Sequence, residues 1–282
     1  MTQVNAPTGG VALTAIGVAV IREQESRRPD RLYDDPLAAA FVDAARRDFA
    51  RTEGGAARWE RVEALAEQFF AGRSVGVRLV DDRMAEAVAA GCRQIVVLGA
   101  GLDTRAYRMG LPADATVYEL DLPELFAFKE PVLSAVGATP TAQRHVLPID
   151  LSSDWAVPLC ERGFRADLPT YWIDEGTLPF LQPEDHLRAV ATLTILSASG
   201  SRFGLSRFAV EPDAPPYAEL RRLVAGDGDA QIPPDVGRPG QQWLVEHGWR
   251  TRFRAWDDMI VPLGRDVAVN DPEVGVVLAE RV

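Results

Sequence analysis

Gln94-Ile95-Val96-Val97-Leu98-Gly99-Ala100-Gly101-Leu102-Asp103-Thr104-Arg105 is the stretch on which the fold turns. Its first five residues are short, apolar and largely β-branched, the pattern of a strand buried on both faces of a parallel sheet. Gly99 and Gly101 follow at once, so the backbone can turn sharply at the carboxyl edge of the sheet, where such folds bind ligands. A dinucleotide fingerprint needs a third glycine three residues after the second, and Thr104 stands there. That weakens a pyrophosphate reading and leaves a nucleoside ligand open. An ordinary glycine turn explains these residues equally well, so the surrounding elements must decide.

Downstream, the same kind of run recurs at Thr116–Leu120, His145–Ile149, Thr170–Ile173 and Ser201–Leu205. Helical patterns over Leu122–Val136, Asp154–Arg162 and Pro183–Ser197 lie between them, and this alternation implies a doubly wound parallel sheet. The chain then finishes on two strands, Arg250–Trp256 and Val274–Glu280, with no crossover helix between them, so they must pair antiparallel. A mostly parallel sheet ending that way is the class I methyltransferase arrangement, whereas a dinucleotide domain tends to end on parallel strands. The expected fold is therefore α/β and Rossmann-like, with a seven-stranded, mostly parallel sheet and a C-terminal antiparallel pair.

Upstream of Gln94 the text reads as helical: Val11–Ile21, Leu37–Phe49 after the helix-start signal Asp34-Asp35-Pro36, Arg58–Phe70, and Val75–Ala90 closed by Gly91. The expected organisation is an N-terminal helical cap over 1–90 and a ligand-binding core over 91–282. The segment 211–240, rich in Pro, Gly and Asp, is expected to carry a helix over Tyr217–Val224 and to border the substrate. A further helix is expected over Gln241–His247, ended by Gly248.

The 282 residues are 47% hydrophobic and carry a formal net charge of −11, which argues against a nucleic-acid partner and suits a neutral or cationic ligand. Cys92 and Cys160 are the only cysteines, lack metal-ligand spacing, and read as small buried hydrophobes; no metal is expected. Lys129 is the sole lysine, so Schiff-base chemistry would depend on that one side chain. The apolar stretch Val11–Ile21 is shorter than the roughly 20 residues of a spanning helix, and a cytoplasmic protein with no membrane partner is expected.

Acids stand at successive strand ends. Asp103 in the glycine loop would repel a phosphate and suit an ammonium group. Glu119 and Asp121 both fall where a carboxylate grips ribose hydroxyls, about 20 residues past the glycines. A helix-start role also accounts for Asp121, which Leu122-Pro123 follows. Asp150, with Leu151 beside it, ends the third strand and can hydrogen-bond and cover an adenine, although a helix cap is the alternative. Adenosylmethionine, a nucleoside without phosphate, fits this set.

Gly99-Ala100-Gly101-Leu102-Asp103-Thr104-Arg105, Tyr118-Glu119-Leu120-Asp121-Leu122-Pro123 and Trp172-Ile173-Asp174-Glu175-Gly176 together resemble the leucine carboxyl methyltransferase-like family of class I adenosylmethionine-dependent methyltransferases. That family takes in actinobacterial methyltransferases and polyketide carboxyl O-methyltransferases of the tetracenomycin type. Glu25-Ser26-Arg27-Arg28-Pro29-Asp30-Arg31-Leu32-Tyr33-Asp34-Asp35-Pro36 resembles the family's N-terminal signature. The resemblance implies S-adenosylmethionine as cofactor, with Gly99, Ala100 and Gly101 along its methionine portion and Asp103 nearby. It implies Asp121 and Leu122 at the ribose, Asp150 and Leu151 at the adenine, and Glu175 near the amino-acid end. An arginine on the helix before the first strand would hold the cofactor carboxylate; Arg73 is preferred, with Arg78 as the alternative.

Methyl transfer is an in-line displacement, accelerated by holding the partners in line. A carboxylate acceptor is already ionised at neutral pH and needs no base, whereas a phenol with pKa about 10 benefits from one. His145, His186 and His247 all read as structural, which leans toward a carboxylate on a small molecule or natural product. A phenol served by Asp174 or Glu175 is the alternative acceptor reading. Arg27, Arg28 and Arg31 either attract an anionic substrate or form a solvated cluster, and Tyr217, Phe180 and Trp172 are candidates for a bulky apolar one. A nicotinamide oxidoreductase and a non-catalytic cofactor-binding protein are the rival functions, and a homodimer is the oligomer left open.

Overall fold

The computed structural model describes residues 6–7, 11–207 and 237–282. The seven strands β1 (Gln94–Leu98), β2 (Thr116–Asp121), β3 (Gln143–Pro148), β4 (Thr170–Asp174), β5 (Arg202–Arg207), β6 (Trp249–Ala255) and β7 (Gly275–Arg281) form one sheet. Their order is β3-β2-β1-β4-β5-β7-β6. β1 pairs in parallel with both β2 and β4, so the strand order reverses beside it, and the carboxyl ends at such a switch point are where open α/β sheets bind ligands. β7 lies antiparallel to both β5 and β6 and is the one reversed strand of this sheet.

β1 reads as a continuous apolar run because both its faces are covered. Ile95 and Val97 pack with Val80, Met84 and Ala87 on one side, while Val96 and Leu98 pack with Leu120, Trp172 and Leu193 on the other. The helices are α1 (Val11–Ser26), α2 (Ala38–Phe49), α3 (Gly55–Ala89), α4 (Arg105–Arg108), α5 (Pro123–Ala135), α6 (Ala156–Glu161), α7 (Pro183–Ile195), α8 (Gly237–Glu246) and α9 (Trp256–Ile260). None of the described helices is long and apolar enough to cross a membrane.

Two helices expected between Arg58 and Ala90 are one, α3, of 35 residues. Gly72 and Gly76 each cost about 1 kcal/mol of helix propensity. The buried Val75, Val77, Leu79 and Val80 around them hold the helix together. The boundary expected at residue 90 thus falls at the end of a helix that serves both parts. Its first half packs Trp59, Val62 and Ala66 with Ile16, Phe41 and Phe49 in the cap, and its second half covers the sheet. The cap cluster also takes in Leu102, Leu125 and Phe128, so α1 and α2 sit over the edge where the glycine loop emerges.

β3 starts two residues earlier than expected, and the reason corrects a site assignment. Glu119 does not face a ribose. It is fully buried, bonded to Lys129 Nζ at 2.5 Å and to Arg144 at 2.8 and 2.7 Å. Arg144 lies on β3 and Lys129 on α5, so this triad pins strand and helix against β2. The only lysine is consumed there, which removes it from Schiff-base chemistry. Cys92 is buried, whereas Cys160 on α6 is exposed, contrary to expectation. The insertion expected over 211–240, its helix over Tyr217–Val224 and Tyr217 itself lie outside the described residues, except that 237–240 open α8.

Glu119→Leu is expected to cost about 3–5 kcal/mol in urea denaturation, because it strands the buried Lys129 ammonium and leaves Arg144 with Glu130 as its remaining carboxylate. The double variant Glu119→Leu/Lys129→Met should recover part of that loss.

Candidate active site

Gly99 and Gly101 have φ of +67° and +50°, in the left-handed region that a side chain resists. A Cβ on Gly99 would fall 2.0 Å from Thr177 Oγ1, and one on Gly101 would meet the Ala15 methyl of α1 at 3.3 Å. The loop is tied to the end of β2. Ala100 N–H donates to the Leu120 carbonyl at 2.9 Å, and Gly101 N–H donates to Asp121 Oδ2 at 2.6 Å. Asp121 Oδ1 accepts Leu122 N–H at 2.7 Å. Asp103 Oδ1 takes Arg105 N–H at 2.7 Å, so the start of α4 is already capped by a carboxylate from its own loop. An anion cradle needs free amides at such a turn, and here the chain's own acids hold two of them, those of Gly101 and Arg105.

Behind the loop lies a buried charge cluster. Arg105 bonds Asp81 at 2.7 Å and Glu175 Oε2 at 2.8 Å, and pairs also with Asp103. Arg108 forks onto both oxygens of Asp81 at 2.7 and 2.9 Å. Thr104 Oγ1, in the position of the missing glycine, donates to Asp35 Oδ2 at 2.7 Å. Asp35 in turn pairs with Arg22 at 3.0 Å, and Arg22 reaches the Leu102 carbonyl at 2.6 Å. The cap is therefore bolted to the loop through α1 and the segment after it. Burial raises the Asp103 carboxyl, but Arg105, Lys129, the Arg105 amide and Arg22 together outweigh that and bring it to about 2. Burial holds the Asp121 and Asp174 carboxyls above the usual range, although each accepts two backbone amides.

The expected residues divide. Arg73 and Glu175 come together: Arg73 Nη2 donates to the Glu175 carbonyl at 2.6 Å, and its guanidinium lies within 3.7 Å of where a Gly176 Cβ would stand. Arg78 instead bonds Asp82 and the Leu32 carbonyl, both at 2.8 Å. Asp150 is exposed just beyond the end of β3, where Oδ1 accepts Ser152 N–H at 2.8 Å. Leu151 is corrected: its side chain is buried in the core with Trp155 and Leu159, so only its backbone can meet a ligand. Arg27 and Arg28 are corrected as free anion captors. Arg27 bonds Glu23 at 2.6 Å, and Arg28 bonds Asp30 at 3.0 Å with both guanidinium arms.

Asp174 is spent on the amides of Thr177 and Leu178 at 2.8 and 3.0 Å. His186 Nδ1 meets the Leu178 carbonyl at 3.0 Å, His247 Nδ1 meets the Trp243 carbonyl at 2.7 Å, and His145 stacks on Tyr118. Trp172 is fully buried and bonds Ser197 at 2.8 Å, so it belongs to the core. Among the described residues no group of three His, Cys, Asp or Glu side chains could hold a metal ion. Arg22, Asp35 and Asp81 were missed. Asp35 reads in the sequence as a helix start and as part of the N-terminal signature, and it serves the helix start by accepting Leu37 N–H at 3.2 Å.

The family model for leucine carboxyl methyltransferase matches residues 15–194. A Parafrankia protein named "putative S-adenosyl-L-methionine-dependent methyltransferase" is 39% identical over 283 residues, covering 97% of this chain and 88% of its own. A Frankia alni protein of the same name is 40% identical over 276 residues, covering 93% and 91%. Among solved structures, a "putative methyltransferase" from Thermobifida fusca matches with TM-score 0.54 at 17% identity, covering 97% of this chain and 95% of the other. A DUF574 family protein from Streptomyces avermitilis matches with TM-score 0.56 at 15% identity, covering 95% and 97%. At those identities the likeness is one of fold, and it is the Rossmann-like methyltransferase fold that the strand order describes.

The depressed Asp103 carboxyl contributes stability above about pH 4 that is lost as pH falls through its folded value near 2. That shift is worth about 2 kcal/mol. Chemical denaturation at pH 5 and pH 2.5 should show Asp103→Asn losing less stability on acidification than the unsubstituted protein.

Proposed function

This chain belongs to the leucine carboxyl methyltransferase family of S-adenosylmethionine-dependent methyltransferases, and we propose that it esterifies a carboxylate on a small organic acid or natural product of polyketide or peptide type. The observation that carries the cofactor reading is the bond from Gly101 N–H to Asp121. With Asp103 holding the Arg105 amide in the same way, a pyrophosphate would meet two carboxylates where it needs the Gly101 and Arg105 amides. A cationic sulfonium ligand bearing an ammonium group meets favourable charge instead. The same observation stands against the nicotinamide reading.

The residues present fit adenosylmethionine. Each Asp121 oxygen has a lone pair beyond the amide it accepts, enough for a ribose diol. Asp150 stands at the next strand end for an adenine amino group, and Leu151 can add only backbone contact. Glu175 Oε1 is buried without a hydrogen-bond partner, which suits an ammonium donor. Arg73 offers the cation for the cofactor carboxylate. Bound there, adenosylmethionine supplies a methyl group already activated on sulfur, so the protein has to align the acceptor rather than generate an electrophile.

A carboxylate acceptor is favoured by the employment of the candidate bases. His145, His186, His247 and Asp174 are each engaged in structural contacts, and Glu175 is paired with Arg105. An ionised carboxylate needs no proton removed before attack. Incubation with methyl-labelled adenosylmethionine and a panel of carboxylic and phenolic acids tests the proposal. Labelled product that releases methanol in mild alkali is the expected result. An alkali-stable aryl methyl ether as the only product would overturn the carboxylate reading, and tight NAD binding without adenosylmethionine binding would overturn the cofactor.

A further inference from the structure

Seven buried side-chain nitrogen and oxygen atoms lack a hydrogen-bond partner among the described residues, and three of them gather at one place. Glu175 Oε1 is one. The others are the Tyr33 hydroxyl and Ser74 Oγ, on residues only 8% and 2% exposed. A buried polar atom left unmade costs about 1–3 kcal/mol, so such a gathering points to a ligand that satisfies it.

Chain geometry explains how the three meet. Ser74 follows Arg73 on α3, and Arg73 is bonded to the Glu175 carbonyl. Tyr33 arrives from the segment after α1, and the polar surroundings of its phenol are Arg22, Ser74, Glu25 and Glu175. The phenol is held from several sides. The Arg108 guanidinium lies 5.5 Å over its ring, Arg78 bonds the Leu32 carbonyl just before it, and Asp35 just after it is clamped by Arg22 and Thr104. Burial pushes the phenol well above its ordinary pKa, so it stays protonated and can donate.

We propose that Tyr33 and Ser74 are positioning residues whose hydroxyls, beside the Arg73 guanidinium, grip the carboxylate at the amino-acid end of adenosylmethionine. This rests on the methyltransferase reading above. The chemistry matches on both sides: a carboxylate is acceptor-only and has lone pairs for a guanidinium and two hydroxyls, while the neighbouring ammonium is donor-only and meets Glu175 Oε1. Ser74 is the hydrogen-bonding neighbour of the phenol, and a Tyr–Ser pair still leaves one hydroxyl proton to donate; neither oxygen has a partner of good hydrogen-bond geometry among the described residues.

The test compares two ligands that differ only in that carboxylate, adenosylmethionine and its decarboxylated analogue. Their affinities are measured by calorimetry, or by displacement where weak, for the unsubstituted protein, Tyr33→Phe and Ser74→Ala, with the melting temperature of each variant as a folding control. Each substitution is expected to weaken adenosylmethionine about tenfold, the scale of a charge-assisted bond, and to leave the decarboxylated analogue unchanged. Equal weakening of both ligands would assign the hydroxyls to packing alone. Unchanged affinity for adenosylmethionine would leave them to water, and either result overturns the proposal. If the unsubstituted protein binds neither ligand, the methyltransferase reading itself fails, and this inference with it.

Discussion

Arg105 is the fixed point of this molecule. It is buried beneath the glycine loop and held by carboxylates from three separate parts of the chain: Asp81 on α3, Asp103 in the loop and Glu175 beyond β4. Removing a guanidinium from water costs several kcal/mol unless its partners are all in place. Helix, loop and strand end must therefore assemble together. Arg108, Thr104, Asp35 and Arg22 extend the same cluster into the cap. Such a cluster adds little stability over an apolar core of equal volume. What it enforces is relative placement, because any slip of α3 or the cap strands a buried charge.

That placement decides which ligands the loop can take. In a pyrophosphate site, the amides after the first strand and at the next helix start point outward. Here Asp121 and Asp103 hold the corresponding amides, and Glu175 adds a third acid at the rim. The glycines are still needed, since positive φ and the approach of Thr177 and Ala15 leave no room for side chains. The same backbone turn thus serves opposite electrostatics in the two kinds of site, and the acids around it make the difference.

Much of the fold was legible because it is written locally. β1 is apolar throughout, since both its faces are covered, and the reversed last strand follows from the lack of a crossover helix before it. Asp121 was legible as a candidate from its place at a strand end, and Glu175 only through the family resemblance. Partnerships set by tertiary contact were not. Nothing near Glu119 announces Lys129 and Arg144, so strand period alone left it level with Asp121. Arg22 and Asp81 sit at ordinary positions in helices, and their significance depends on tertiary partners, Asp35 and Leu102 for the one and Arg105 for the other. The helical pattern breaks over 71–74, where Gly72 has a local cost, while the packing that makes α3 one helix is not local. Tyr33 read as part of a signature, and only its burial without a partner marks it out.

Hydrogen–deuterium exchange with and without S-adenosylhomocysteine, the demethylated product, tests this account most directly. The account predicts slowed exchange in peptides spanning Gly99–Arg105, Asp121–Leu122, Asp150–Ser152 and Glu175–Thr177, with none of that protection when NAD is added instead. Protection by NAD at the Gly99–Arg105 loop, or by S-adenosylhomocysteine only at the opposite, amino-terminal edge of the sheet, would contradict it.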